Sequence, residues 1–222
     1  MKRSTICAIL LFAFSLSLHA QLQAVVKETS GKVEVKLPGK NWAPAAAKMV
    51  LAQGTVISTG FNSRLVLDIG ESRLTVNPLT RLSLEEIVKR ESLNSTSMSL
   101  KVGKVSASVK SAPGERSSFT VKGPVSTAAV RGTEFSYDGY TLAVSEGTVI
   151  LSNLLGQEAQ VGAGDGGTTD GYTPPQTGQD LIDALVDVVP AEAGGLLNDG
   201  GAGGGGGGTP SLPVGTISIT IN

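Results

Sequence analysis

The reading of the fold turns on FTVKGPVSTAAVRGTEFSYDGYTLAVSEGTV, which runs from Phe119 to Val149 and holds three strand signals and two turn signals. Asp138-Gly139 separates two runs that alternate between apolar and polar residues. An Asp-Gly pair suits a two-residue type I′ hairpin turn, in which both central residues need a positive φ. Such a turn sets its own register: Tyr137 faces Tyr140, Phe135 faces Leu142 and Thr133 faces Val144, all on one side of the ribbon. Glu134, Ser136, Thr141, Ala143 and Ser145 take the other side. The alternation predicts an antiparallel hairpin with one face on a core. Continued by two residues, the same register sets Arg131 opposite Glu146, an ion pair closing one end of that core.

Outward from this hairpin the pattern repeats. Leu65, Leu67 and Ile69 alternate, then Leu74 and Val76, Leu82 and Leu84, Met98, Leu100 and Val102, and Val105, Ala107 and Val109. Turn residues separate the runs at Pro38-Gly39, Gly60-Phe61-Asn62-Ser63, Gly70-Glu71, Asn77-Pro78 and Gly103-Lys104, and residues 85–97 read as a hairpin with a long exposed tip. Strand signals this close together predict an all-β domain of many short, mainly antiparallel strands, arranged as a β-sandwich or a solenoid-like roll. Trp42 is the only tryptophan, and its large apolar area assigns it to core packing in preference to ligand stacking.

Lys2 and Arg3 precede an apolar run from Ile6 to Leu18 that ends at His19-Ala20, so residues 1–20 read as a secretory signal peptide and the chain as exported, periplasmic or extracellular. The run is short for a membrane span, and no span is expected once it is removed. Its removal takes away Cys7 and His19, the only cysteine and the only histidine. That excludes disulfides, thiolate nucleophiles, Cys/His zinc sites and imidazole-based triads.

Residues 21–161 carry 16 Lys/Arg and 12 Asp/Glu, whereas residues 162–222 carry 7 acidic residues, no basic one and 17 of the 29 glycines. The first segment has the length and composition of one folded domain; the second reads as a Gly-rich, acidic, flexible tail. Within it Gly162-Ala163-Gly164-Asp165-Gly166-Gly167 has the spacing of a nucleotide-binding glycine motif but no βαβ context, and Asp165 and Asp170 read as solvated linker residues in preference to a calcium site. Leu181, Ile182, Leu185, Val186 and Val189 predict a short amphipathic helix over 179–189, stopped by Pro190. The alternation at 214–221 predicts a terminal strand that must pair with an edge in this molecule or in another, which includes self-association.

Candidate chemistry is thin. Ser108 with Lys110 and Ser30 with Lys32 bring serine near lysine, but in alternating strands where surface polarity accounts for them. Glu85 and Glu86 are adjacent and point to opposite faces of a strand. Basic residues are scattered without a stripe, which argues against nucleic acid. No catalytic residue, cofactor or metal ligand is assigned. Phe135, Tyr137 and Tyr140 are the one aromatic cluster, and carbohydrate binding would need them exposed.

The run AAVRGTEF, followed after a hairpin by VSEGTV, resembles the core of FecR-type domains, bacterial extracytoplasmic β-domains named for a regulator of iron–siderophore signalling. The stretch from Leu51 to Val88, with its GTVISTG segment and Asn-Pro turn, is similar to the front half of such a domain, and the likeness spans about Val25 to Leu151. FecR regulators have a cytoplasmic segment that handles a sigma factor and a transmembrane helix. This chain opens on a signal peptide, so the likeness is to stand-alone exported versions. The resemblance implies a non-enzymatic binding or sensing module that engages an envelope protein, and it marks Arg131, Gly132, Thr133, Phe135, Glu146 and Gly147 as motif positions with structural roles. The alternative is an exported glycan-binding or surface-structural protein. Exposure of Tyr137 and Tyr140 separates the two.

Overall fold

The computed structural model describes residues 22–90 and 92–182. The predicted signal peptide, the predicted helix beyond Ile182 and the predicted strand at 214–221 lie outside the described residues. Along the chain the strands are β1 (Ala24–Ser30), β2 (Val33–Lys36), β3 (Trp42–Pro44), β4 (Val50–Leu51), β5 (Val56–Thr59), β6 (Arg64–Ile69), β7 (Ser72–Val76), β8 (Arg81–Arg90) and β9 (Leu93–Val102). They continue as β10 (Val105–Ser108), β11 (Arg116–Lys122), β12 (Ser126–Val130), β13 (Glu134–Tyr137), β14 (Thr141–Glu146), β15 (Thr148–Asn153), β16 (Glu158–Gly162), β17 (Gly166–Thr168) and β18 (Gln176–Thr177).

Short alternating strands with one apolar face each need a second apolar face to cover them. Here the chain supplies it by switching between two nine-stranded sheets every one or two strands. The first sheet runs β18-β17-β14-β13-β10-β7-β6-β1-β4 and the second β16-β15-β12-β11-β9-β8-β5-β2-β3. The result is a β-sandwich laid down with the progression of a roll. Every pairing is antiparallel except β9 with β11. The predicted hairpin at 85–97 is the β8–β9 pair, ten residues a side.

The core follows the alternation. Leu65, Leu67, Leu74, Tyr137 and Leu142 of the first sheet and Ile57, Leu82, Leu84, Met98 and Leu151 of the second are fully buried in one cluster. Phe119 and Phe135 meet edge to face across the sheets, ring centres 6.3 Å apart.

Three expectations are corrected. The hairpin register is slipped: Tyr137 pairs with Leu142 and Phe135 with Val144, and a bulge then brings Glu134 opposite Glu146. The central turn residues are Gly139, at φ 96, and Tyr140, because Asp138 sits before the turn and its carboxylate accepts the N–H groups of Tyr140 and Thr141 at 3.0 and 2.8 Å. A turn with glycine first has type II′ character, and aspartate gains more from holding these donors than from a central position. Trp42 is 43% exposed on the edge strand β3, with the Arg81 guanidinium 5.8 Å above its ring. An edge strand offers it one neighbour, so it keeps its indole under a cation instead of in the core.

The third correction concerns the boundary at 161. Residues past it continue the fold: β17 pairs with β14 and β18 with β17. The glycines there make room instead of flexibility. A Cβ on Gly167 would stand 2.7 Å from Val161 Cγ2 and 3.1 Å from Leu151 Cδ2. Asp165 accepts the N–H groups of Gly166 and Gly178 at 2.7 and 3.1 Å, and Asp170 those of Tyr172 and Thr173 at 2.9 and 2.8 Å. The predicted helix begins at residue 178. Thr177 Oγ1 accepts the Asp180 N–H while Asp180 accepts the Thr177 N–H, the reciprocal cap expected of a helix start. A chain ending after Val161 should therefore melt at least about 5 °C below one ending after Ile182, since two strands and the cover over Leu142 are lost. Equal melting temperatures would show that β17 and β18 contribute nothing.

Candidate functional site

The motif residues sit where the chain changes sheets. β12 leaves the second sheet at Arg131, Gly132 turns the corner at φ 62, and β13 enters the first; β14 returns through Gly147 at φ 82 to β15. Positive φ is cheap only for glycine, which explains both. The two corners stack. A Cβ on Gly147 would lie 2.6 Å from Thr133 Cγ2 and 2.8 Å from the Gly132 carbonyl, whereas one on Gly132 would meet open space. Thr133 and Phe135 are buried, and the Thr133 carbonyl accepts the Val109 N–H at 2.8 Å.

Arg131 and Glu146 are both exposed, and the slipped register separates their strand positions. Among the described residues neither forms an ion pair. Arg131 instead borders a shallow hollow of about 490 Å³ on the outer face of the second sheet, with Ser118, Ala129, Thr148, Ile150 and Gln160. A smaller hollow on the outer face of the first sheet is lined by Arg73, Thr75, Ser106, Ser108, Glu134 and Ser136. Small hydroxyl side chains dominate its floor.

The aromatic cluster is split. Tyr137 is fully buried and Tyr140 is half exposed. The Tyr137 hydroxyl donates to the Ser126 carbonyl at 2.6 Å and lies 2.8 Å from Ser126 Oγ, which donates to the Gly139 carbonyl at 2.8 Å. Burial pushes the Tyr137 phenol up to about 12 from 10.0, and the Ser126 hydrogen bond offsets part of the rise. This site binds the two sheets together and leaves no aromatic platform.

Potential chemical groups stay apart. Glu85 is held by Lys122 Nζ at 2.9 Å. Glu115 is held by Lys89 and Asn94, whose hydrogen bonds keep its carboxyl below the usual range. Among the described residues no group of three or more His, Cys, Asp or Glu side chains is placed to hold a metal ion.

Sequence reasoning missed one feature: a row of exposed apolar side chains, Phe61, Leu79, Val102, Tyr140, Leu155 and Tyr172, every one in or beside a turn. Alternation assigns faces to strand residues and says nothing of turns. The only signal was a large apolar residue inside two predicted turns, Gly60–Ser63 and the one at Asn77-Pro78.

Residues 55–150 match the family model described as FecR protein. Over that stretch, which is under half of its 222 residues, the chain is similar to the FecR family. The match takes in β5 through the first half of β15, so both stacked corners fall inside it while β1–β4 and β16–β18 flank it. Two crystal structures of a protein provisionally described as an anti-sigma factor, from Parabacteroides distasonis ATCC 8503, are similar at 13% identity and a TM-score of 0.44. The likeness covers 59% of this chain and 63% or 64% of theirs, so the chain spans less than two thirds of their length. No curated protein matches.

Two outcomes test the structural reading of this region. Gly147→Ala should cost about 1–3 kcal/mol, from backbone strain plus the clash with Thr133, and Gly132→Ala clearly less; equal costs in urea titrations would refute the stacked corners. Tyr137→Phe should cost about 1–2 kcal/mol at neutral pH. The neutral phenol is the form the fold favours, so its contribution is complete below pH 10 and is lost as pH rises through about 12. The parent should lose stability across that window and Tyr137→Phe should not lose this component.

Proposed function

We propose that this protein is a non-enzymatic, extracytoplasmic FecR-type module that engages a protein partner in the cell envelope. The observation that carries the reading is the FecR match over residues 55–150, laid on a two-sheet scaffold whose motif residues build corners. FecR regulators transmit signals by protein contact, which supports binding or sensing over turnover. Extracytoplasmic placement rests on the signal-peptide pattern of residues 1–20 and on a remaining chain free of cysteine. Among the described residues no helix is long and apolar enough to cross a membrane.

The glycan-binding alternative asked for an exposed aromatic face. Tyr137 is sealed between the sheets, so Tyr140 stands without it. The strand expected from the sequence at 214–221 would supply a route to self-association by adding to an end strand of either sheet, β3, β4, β16 or β18.

The test is a crosslinked pull-down from the native envelope fraction with the chain 21–222, with and without residues 214–222, followed by titration of the captured protein in purified form. Saturable binding to one envelope protein is expected. Capture of glycan alone, or turnover of an ester, peptide or glycoside that a single carboxylate or serine substitution removes, would defeat the reading.

A further inference from the structure

Three turns meet on one lateral edge of the sandwich. The Leu79 N–H donates to the Gly60 carbonyl at 3.2 Å, the Asn77 N–H to the Lys104 carbonyl at 3.0 Å and the Lys104 N–H to Thr80 Oγ1 at 3.0 Å. Each turn sends one large apolar side chain into solvent: Phe61 is 81% exposed, Leu79 50% and Val102 58%. Lys32, whose carbonyl accepts the Gly60 N–H at 2.9 Å, and Lys101 and Lys104, on either side of Val102 in the chain, are all exposed. Among the described residues Lys101 and Lys104 form no ion pair, and Lys32 reaches only Glu34, at 3.5 Å. The turns themselves, 60–63, 77–80 and 102–104, contain no acidic residue.

Leu79 is out of place twice. Its φ of 55 lies in the left-handed region that bulky side chains seldom adopt, and its apolar side chain is half in water. Asn62, at φ 46 in the neighbouring turn, shows the residue type that suits such a position. Backbone strain combined with apolar exposure costs folding stability and makes sense where the side chain serves contact with something outside the molecule.

We infer that this edge seats on an anionic lipid surface, with Phe61, Leu79 and Val102 entering the headgroup layer and the lysines against lipid phosphates. Size and charge select this occupant. The turns 60–63, 77–80 and 102–104 are short segments of the chain, well under the roughly 20–30 residues a side of a specific protein interface. Shallow insertion of a few apolar side chains beside several cations is how peripheral proteins hold a bilayer. Residues 183–222 carry four carboxylates and no basic residue, so the same lipids repel them. Such seating would turn the outer faces of both sheets sideways, free for a protein partner.

The test is cosedimentation of the chain 21–222, which contains every described strand and omits the apolar leader, with two kinds of vesicle. One holds phosphatidylethanolamine with phosphatidylglycerol, the other phosphatidylcholine alone. Binding to the phosphatidylglycerol vesicles that weakens with salt is expected. Phe61→Ser should weaken it by about tenfold and Lys104→Gln by about fivefold. Leu79→Asn should weaken it while the melting temperature stays level or rises, which separates lost contact from lost folding. Equal affinity for both vesicle types or variants that bind like the parent overturn the inference. So does loss of self-association in place of lipid binding, or hydrogen exchange at these turns that rises when residues 183–222 are deleted. None of these outcomes bears on whether an envelope protein is captured.

Discussion

Two buried hydroxyls hold the two sheets in register. Tyr137 belongs to one sheet and Ser126 to the other, and between them two protons serve the Ser126 and Gly139 carbonyls in a space closed to water. Buried polar groups of this kind are costly unless every partner is placed. Placement here demands that the β11–β12 turn lie on the β13–β14 turn. Gly123 and Gly139 permit that approach: a Cβ on Gly139 would stand 2.4 Å from Pro124 Cδ. The rest of the apolar interior then has one sliding position in which it can close.

That constraint explains which parts of the fold were legible in sequence. Alternation named the buried residues correctly at Phe135, Tyr137, Leu142 and Val144 although the assumed register was wrong, because the slip moved partners by two and a two-residue shift preserves the face. Arg131 and Glu146 depended on the register itself, so their pairing failed where the core did not. What misled was Asp138, read as a central turn residue when its carboxylate serves better one step earlier.

Beyond residue 161 composition misled for a different reason. Glycine was read as freedom, but at Gly167 it marks a place where Val161 and Leu151 leave no room for a side chain. The motif corners were legible as positions and not as geometry: Gly132 and Gly147 both need positive φ, yet only Gly147 is packed against another chain segment. The apolar turns left only the faint signal of a large apolar residue at a predicted turn, since neither the strain at Leu79 nor the meeting of residues 60–63 with 77–80 leaves a mark on local pattern. Trp42 shows the same limit. Its area predicted burial, and its place on an edge strand overruled the prediction.

The strand order in both sheets follows the order of synthesis closely, departing from it only at the β3 and β4 ends. Each hairpin therefore docks on strands already made, and no late strand has to insert between two early ones. A β-sandwich usually folds slowly because distant segments must find each other. This one can assemble by accretion as the chain emerges from synthesis N-terminus first, with each finished edge serving as the template for the next hairpin. Pairings between non-consecutive strands, such as β7 with β10, β9 with β11 and β12 with β15, each wait until the intervening strands have crossed to the other sheet and back, and β9–β11 is the parallel one among them.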